Sequence, residues 1–175
     1  IITEAYMRLQ DRPSFRSSCT VEFDKYQDAL SALRHISQAG LFPANCRLLD
    51  SNEALFNGAG DGTKHLLIIA FESADHDKSY SLDRALEISK EFQGSFEKPK
   101  DSPDAHRSGS SGTWRSSFIK APYLRESFTR RGIIQDTFET AITWDKSSTF
   151  IEEIKDETAK AILEITGKPS LVTCR

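Results

Sequence analysis

Three charged positions stand where their neighbours are apolar or patterned, and they are the first candidates for chemistry. Arg47 lies between apolar residues in Pro43-Ala-Asn-Cys-Arg-Leu-Leu-Asp50. A guanidinium stays protonated at any physiological pH, so one placed near a core needs a partner. Asp50 would make a structural ion pair, and a bound anion is the functional alternative. Arg125, in Ala121-Pro-Tyr-Leu-Arg-Glu-Ser127, falls at helical spacing beside Ala121 and Pro122, away from Lys120 and Ser127. Its planar fork grips carboxylate or phosphate through two parallel hydrogen bonds, so it reads as a surface arginine or as an anion clamp. Glu139 lies in Asp136-Thr-Phe-Glu-Thr-Ala-Ile-Thr-Trp-Asp145. On a strand it would share a face with Thr137 and Ala141, opposite Phe138, Thr140 and Ile142. General base, ligand-binding carboxylate and partner of an arginine are its three readings.

Other motifs offer less. Gly58, Gly60 and Gly62 suggest a phosphate loop, but Thr63-Lys64 precedes a strand-like run rather than a helix, so a flexible turn is the expected structure. His35, His65, His76 and His106 have no spacing that joins a nucleophile to an orienting acid. Asp75, His76 and Asp77 are adjacent, and adjacent residues rarely converge on one ion. Cys19, Cys46 and Cys174 form no metal-ligand or disulfide pattern and read as reduced, buried thiols.

The elements that must position these residues follow from hydrophobic periodicity. Strands are expected over Ile1–Leu9, Ser18–Phe23, Cys46–Leu49, His65–Phe71, Thr137–Trp144 and Leu171–Cys174. Tyr26, Leu30, Leu33 and Ile36 mark a first helix, with Asp24 as its cap and Gly40 as its end. Further helices are expected over Ser79–Gln93, Trp114–Arg131 with a break at Pro122, and Phe150–Thr166. Residues 97–112, rich in Pro, Ser and Gly, read as a flexible loop. The first half has the β-α-β-β-α order of a split βαβ unit, and the second half reads as its weaker echo. The fold class expected is α+β: a ferredoxin-like antiparallel sheet with helices packed on one face.

A chain of 175 residues is long enough for one domain with a real core. Its net charge of −3 argues against broad nucleic-acid binding. No apolar run approaches the roughly 20 residues that span a bilayer. The N-terminus lacks a signal-peptide pattern, so a cytoplasmic location is expected.

The segments around Arg47, Arg125 and Glu139, in this order, resemble the cap region of alkyldihydroxyacetonephosphate synthase and bacterial FAD-linked oxidases of the vanillyl-alcohol oxidase superfamily. Ile1-Ile-Thr-Glu-Ala5 resembles the stretch where that family's FAD domain passes into its cap, and Leu171-Val-Thr-Cys-Arg175 resembles a later strand. The resemblance implies that residues 1–9 end the FAD-binding domain or connect to it, and that 10–175 form the substrate-side cap. It implies FAD as cofactor, with Ile1 and Ile2 touching it, Arg125 binding the substrate phosphate, and Arg47 required for activity. Glu139 remains a candidate substrate contact. The implied partners are a small anionic substrate and the FAD-binding domain of the same protein; a homodimer is compatible. The family's catalytic tyrosine and His-rich motif would lie beyond Arg175, and most of the flavin site before Ile1. The chain alone is therefore expected neither to hold FAD nor to turn over. A 2-hydroxy-acid dehydrogenase cap of lactate or glycolate type, and a stand-alone ferredoxin-like ligand-binding module, are the alternative readings.

Overall fold

The computed structural model describes residues 1–97 and 109–175, the side chains of 109–111 excepted. Three strands make one antiparallel sheet in the order β1-β3-β2: β1 is Phe15–Phe23, β2 Asn45–Leu49 and β3 His65–Ser73. The central strand β3 is a continuous apolar run because both of its faces are covered. Leu67, Ile69 and Phe71 pack with Cys19, Val21 and Phe23 of β1 against α1 (Tyr26–Gln38) and α3 (Ser79–Glu91). Leu66 and Ile68 face the other way, into a smaller cluster with Leu49, Ala54, Ala59 and Trp114. The latter residues belong in part to α2 (Ser51–Phe56) and α4 (Gly109–Thr129). The α+β class and ferredoxin-like order thus hold, with α1 and α3 sharing one face and α2 and α4 adding to the opposite one.

Where a fourth ferredoxin-like strand would lie, the described residues after α3 make a single bridge, Ser95 to Glu22. Gly94 allows that approach: a Cβ there would come within 2.7 Å of Val21 Cγ1 and 2.8 Å of the Ser89 carbonyl. Gly40, at φ 69°, lies just past α1 as expected. Asp24 does not cap α1, whose N-cap is Lys25 with no side-chain bond. The pairing of Phe23 with His65 sets position 24 beside position 64, and Asp24 pairs with Lys64 instead.

The chain departs from expectation mainly outside this core. Ile1–Pro13 has no regular structure, and Ile1, Ile2, Tyr6, Met7 and Leu9 are exposed. Most of the loop expected over 97–112 lies outside the described residues, but Gly109–Gly112 already belongs to α4. That helix runs through Pro122 unbroken, although proline has no N–H to give the Phe118 carbonyl. Thr137–Thr143 forms no strand: it has no hydrogen-bonded partner strand, and alternation without one does not make a sheet. Trp144 instead opens α5, Trp144–Thr166, which starts six residues before Phe150. The second half is thus two helices rather than an echo of the first. Leu171–Cys174 is not a strand either, but Cys174 and Asp50 are joined twice, Asp50 N–H to the Cys174 carbonyl at 3.0 Å and Cys174 N–H to Asp50 Oδ2 at 2.8 Å.

Candidate functional site: an arginine–aromatic face

Alternation along β2 sends Cys46 and Leu48 toward α1 and α3, and Arg47 and Leu49 toward the opposite face. There the Arg47 guanidinium lies 4.6 Å from the Trp114 ring centroid and 5.7 Å from that of Phe118. The two rings, one helical turn apart on α4, stack with centroids 5.4 Å apart. Arg175 lies 5.7 Å from the same Phe118 centroid. A guanidinium over an aromatic face is attracted by the ring's negative quadrupole and keeps its in-plane N–H donors for another partner. Burial, then the charge of Arg175, lower the proton affinity of Arg47; Glu139 and Glu53 act in the opposite sense.

The support for this face comes from α2. Asp50 is its N-cap, accepting the Glu53 N–H at 2.8 Å. The other Asp50 oxygen takes Lys155 of α5 at 2.6 Å, besides the Cys174 N–H. The expected Arg47–Asp50 ion pair is therefore not formed: Asp50 is buried and its oxygens are committed elsewhere. One turn on, buried Glu53 binds Arg175 at 3.2 Å through Oε1 and the Thr173 hydroxyl at 2.5 Å through Oε2. Ser117 of α4 donates to the Asn57 carbonyl at 2.8 Å, fixing the aromatic pair beside the end of α2.

Arg125 stands on the same stripe of α4 as Trp114 and Phe118, since offsets of 4 and 11 residues nearly repeat the 3.6-residue turn. It is exposed and lies 3.7 Å from Asp136. Glu139 is exposed in the segment between α4 and α5 and influences Arg47 through its charge, with no ion pair to it among the described residues. Ile1 and Ile2 are exposed at the far end of an irregular segment. The structure thus joins Arg47 to the α4 stripe that carries Arg125 and leaves Ile1 and Ile2 outside that cluster.

Sequence reasoning missed Trp114, Phe118, Glu53 and Arg175. The Asp50-Ser-Asn-Glu53 pattern before an apolar pair was a helix-start signal. The 114–118–125 stripe was readable once the helix was assumed. Arg175 gave no local sign, because its carboxylate partner is 122 residues away. Among the described residues no group of His, Cys, Asp and Glu could hold a metal ion. Cys19 and Cys46 are free thiols pushed up to about 11 by burial, so neither is a ready nucleophile. The face suits binding and orienting an anion rather than covalent attack. No described helix is long and apolar enough to cross a membrane.

Residues 12–168 match the family model of FAD linked oxidases, C-terminal domain. Two solved structures of alkyldihydroxyacetonephosphate synthase, in different crystal forms, are similar in fold. One is 18% identical with a TM-score of 0.66, covering 86% of this chain; the other is 17% identical with a TM-score of 0.67, covering 92%. This chain spans 32% of the length of each. At such identity the structural likeness is one of fold, whereas the family match extends over most of the sequence. The chain therefore belongs to the family of FAD-linked oxidase C-terminal domains.

Proposed function

We propose that this chain is the substrate-side cap of an FAD-dependent oxidoreductase, residues 10–175 forming the cap and 1–9 leading from an FAD-binding domain of the same protein. We further propose that it binds an anionic substrate, a phosphate or carboxylate, over the flavin. The observation that carries this reading is the α4 stripe: Arg125 shares it with two stacked aromatic rings, against which Arg47 and Arg175 lie. Ile1 and Ile2 are exposed on an irregular segment, so the residues of this chain do not by themselves fit FAD as its holder. FAD supplies the redox chemistry of the family; the part assigned to these residues is binding and orientation.

In this reading Arg125 fixes the acidic end of the substrate, its only described carboxylate neighbour being the exposed Asp136 at 3.7 Å. A pair so exposed is worth little, so a substrate oxyanion displaces it readily. Holding one end sets the distance and angle of the other, which raises rate as well as affinity. Glu139 is assigned a polar contact at the same mouth, with Arg47 as positioning group or direct contact. Arg125→Ala in the flavin-loaded parent protein should raise KM about 10- to 100-fold with flavin content unchanged. Steady-state kinetics with an acyl dihydroxyacetone phosphate, with lactate and with glycolate would check it and separate synthase from hydroxy-acid chemistry. Unaltered KM and kcat on whichever substrate turns over would sink the clamp.

A further inference from the structure

We propose that Arg175 is a second anion-binding residue of this face, set beside Arg47 against the Phe118 ring and held there by Glu53. The inference deepens the cap reading and rests on it for the identity of the physiological ligand. Both guanidinium carbons lie 5.7 Å from the Phe118 centroid, and the Arg175 charge is near enough to lower the proton affinity of Arg47. Glu53 engages Arg175 through one nitrogen at 3.2 Å, with Thr173 on its other oxygen. A guanidinium has five N–H donors, so that contact leaves most of them for a ligand. The Arg175 side chain keeps 32% of its surface accessible, whereas Glu53 keeps 8%. The carboxylate is thus a buried anchor and the arginine its partly open head.

An ion pair serving only to neutralise Glu53 would explain the contact but not the placement. Two like-charged groups share this small face, and Arg47 has no carboxylate within 4 Å among the described residues. Such crowding costs free energy in the empty protein, and an oxyanion beside both guanidinium groups relieves it. The aromatic pair suits an apolar portion of the ligand next to that oxyanion. Arg125 stands seven residues beyond Phe118, about 10 Å along α4 at 1.5 Å per residue. The face therefore fits a ligand with two polar ends about that far apart, one at Arg125 and one at the Arg47–Arg175 pair.

The test follows the arginine Nε–H signals of the 175-residue chain by NMR during titration with inorganic phosphate in one arm and glycolate in the other. Both Arg47 and Arg175 signals should shift along one saturating curve in at least one arm. Arg175→Gln should weaken that curve about tenfold, as should Arg47→Gln. Arg175→Lys, which keeps the charge and a bond to Glu53 but loses the planar fork, guards against misfolding; it should retain the thermal midpoint and still bind more weakly than wild type. Wild-type affinity in a folded Arg175→Lys or Arg175→Gln chain, or no saturable shift in either arm, would overturn the proposal. Failure of Arg125→Ala to change KM in the parent protein would sink the Arg125 clamp of the proposed function and leave this titration intact, so the two failures are separable.

Discussion

His65 begins β3 with its ring edge-on to Tyr26, centroids 5.4 Å apart, and its Nδ1 accepts the Ser51 N–H at 3.1 Å. That bond requires an unprotonated Nδ1 and joins the sheet to the first residue of α2. Burial lowers the His65 pKa below its usual 6.5, and the Lys155 charge adds to the effect while Asp50 opposes it. With the folded value depressed, the unfolded chain takes up the proton first as pH falls. The His65 contribution is therefore complete above about 6.5 and is lost as pH drops from there toward the folded pKa. Thermal midpoints measured from pH 8 to pH 5 should decline over that window, and His65→Gln should flatten the decline. Equal slopes in the two proteins would refute the assignment. Tyr26, whose phenol is pushed far up by burial and by Cys174, stays protonated throughout and donates to the Cys174 sulfur at 3.5 Å.

At the level of elements, α2 matters beyond its six residues. Asp50 is its cap, the acceptor for Lys155 and the tether of Cys174. Asp50→Ala removes a cap and strands a lysine and an amide, and should cost about 2–4 kcal/mol. Asp50→Asn keeps the cap oxygen and loses the charge, and should cost about half as much. Urea unfolding of both variants checks the order; a neutral Asp50→Ala would show that the network is ornamental. The helix was overlooked because six residues are less than two turns, too few for a period to show. The longer amphipathic α1 and α3, and the apolar run of β3, were plain for the opposite reason. The alternation of Thr137–Ile142 misled because a period of two describes a strand only when another strand lies beside it.

For the molecule as a whole, the split βαβ core was legible in residues 15–93, where each strand and helix carries its own period, even though β3 pairs between β1 and β2. The candidate site was legible by half. Arg47 and Arg125 stood out as charges in patterned surroundings, but the aromatic pair and the Glu53 anchor arise from contacts across the length of the chain. Cutting the chain after Lys168 should therefore leave β1, α1, β3 and α3 protected from hydrogen exchange while the amides of α2 exchange faster. Undiminished protection in α2 would show that the tail is dispensable.

That tail also imposes a schedule. Glu53 and Arg175 are 122 residues apart, so at bacterial and eukaryotic synthesis rates about 6–24 s pass between making the first and making the second. Within that interval β3 and α3 are made and complete the sheet and its two packed helices, while α2 has no clasp and Glu53 stays in water as a surface acid. Trp114 and Phe118 emerge midway and wait with part of their apolar surface uncovered. The arginine–aromatic face is thus finished last, after the frame that bears it, and a nascent chain has its shape well before it has its site.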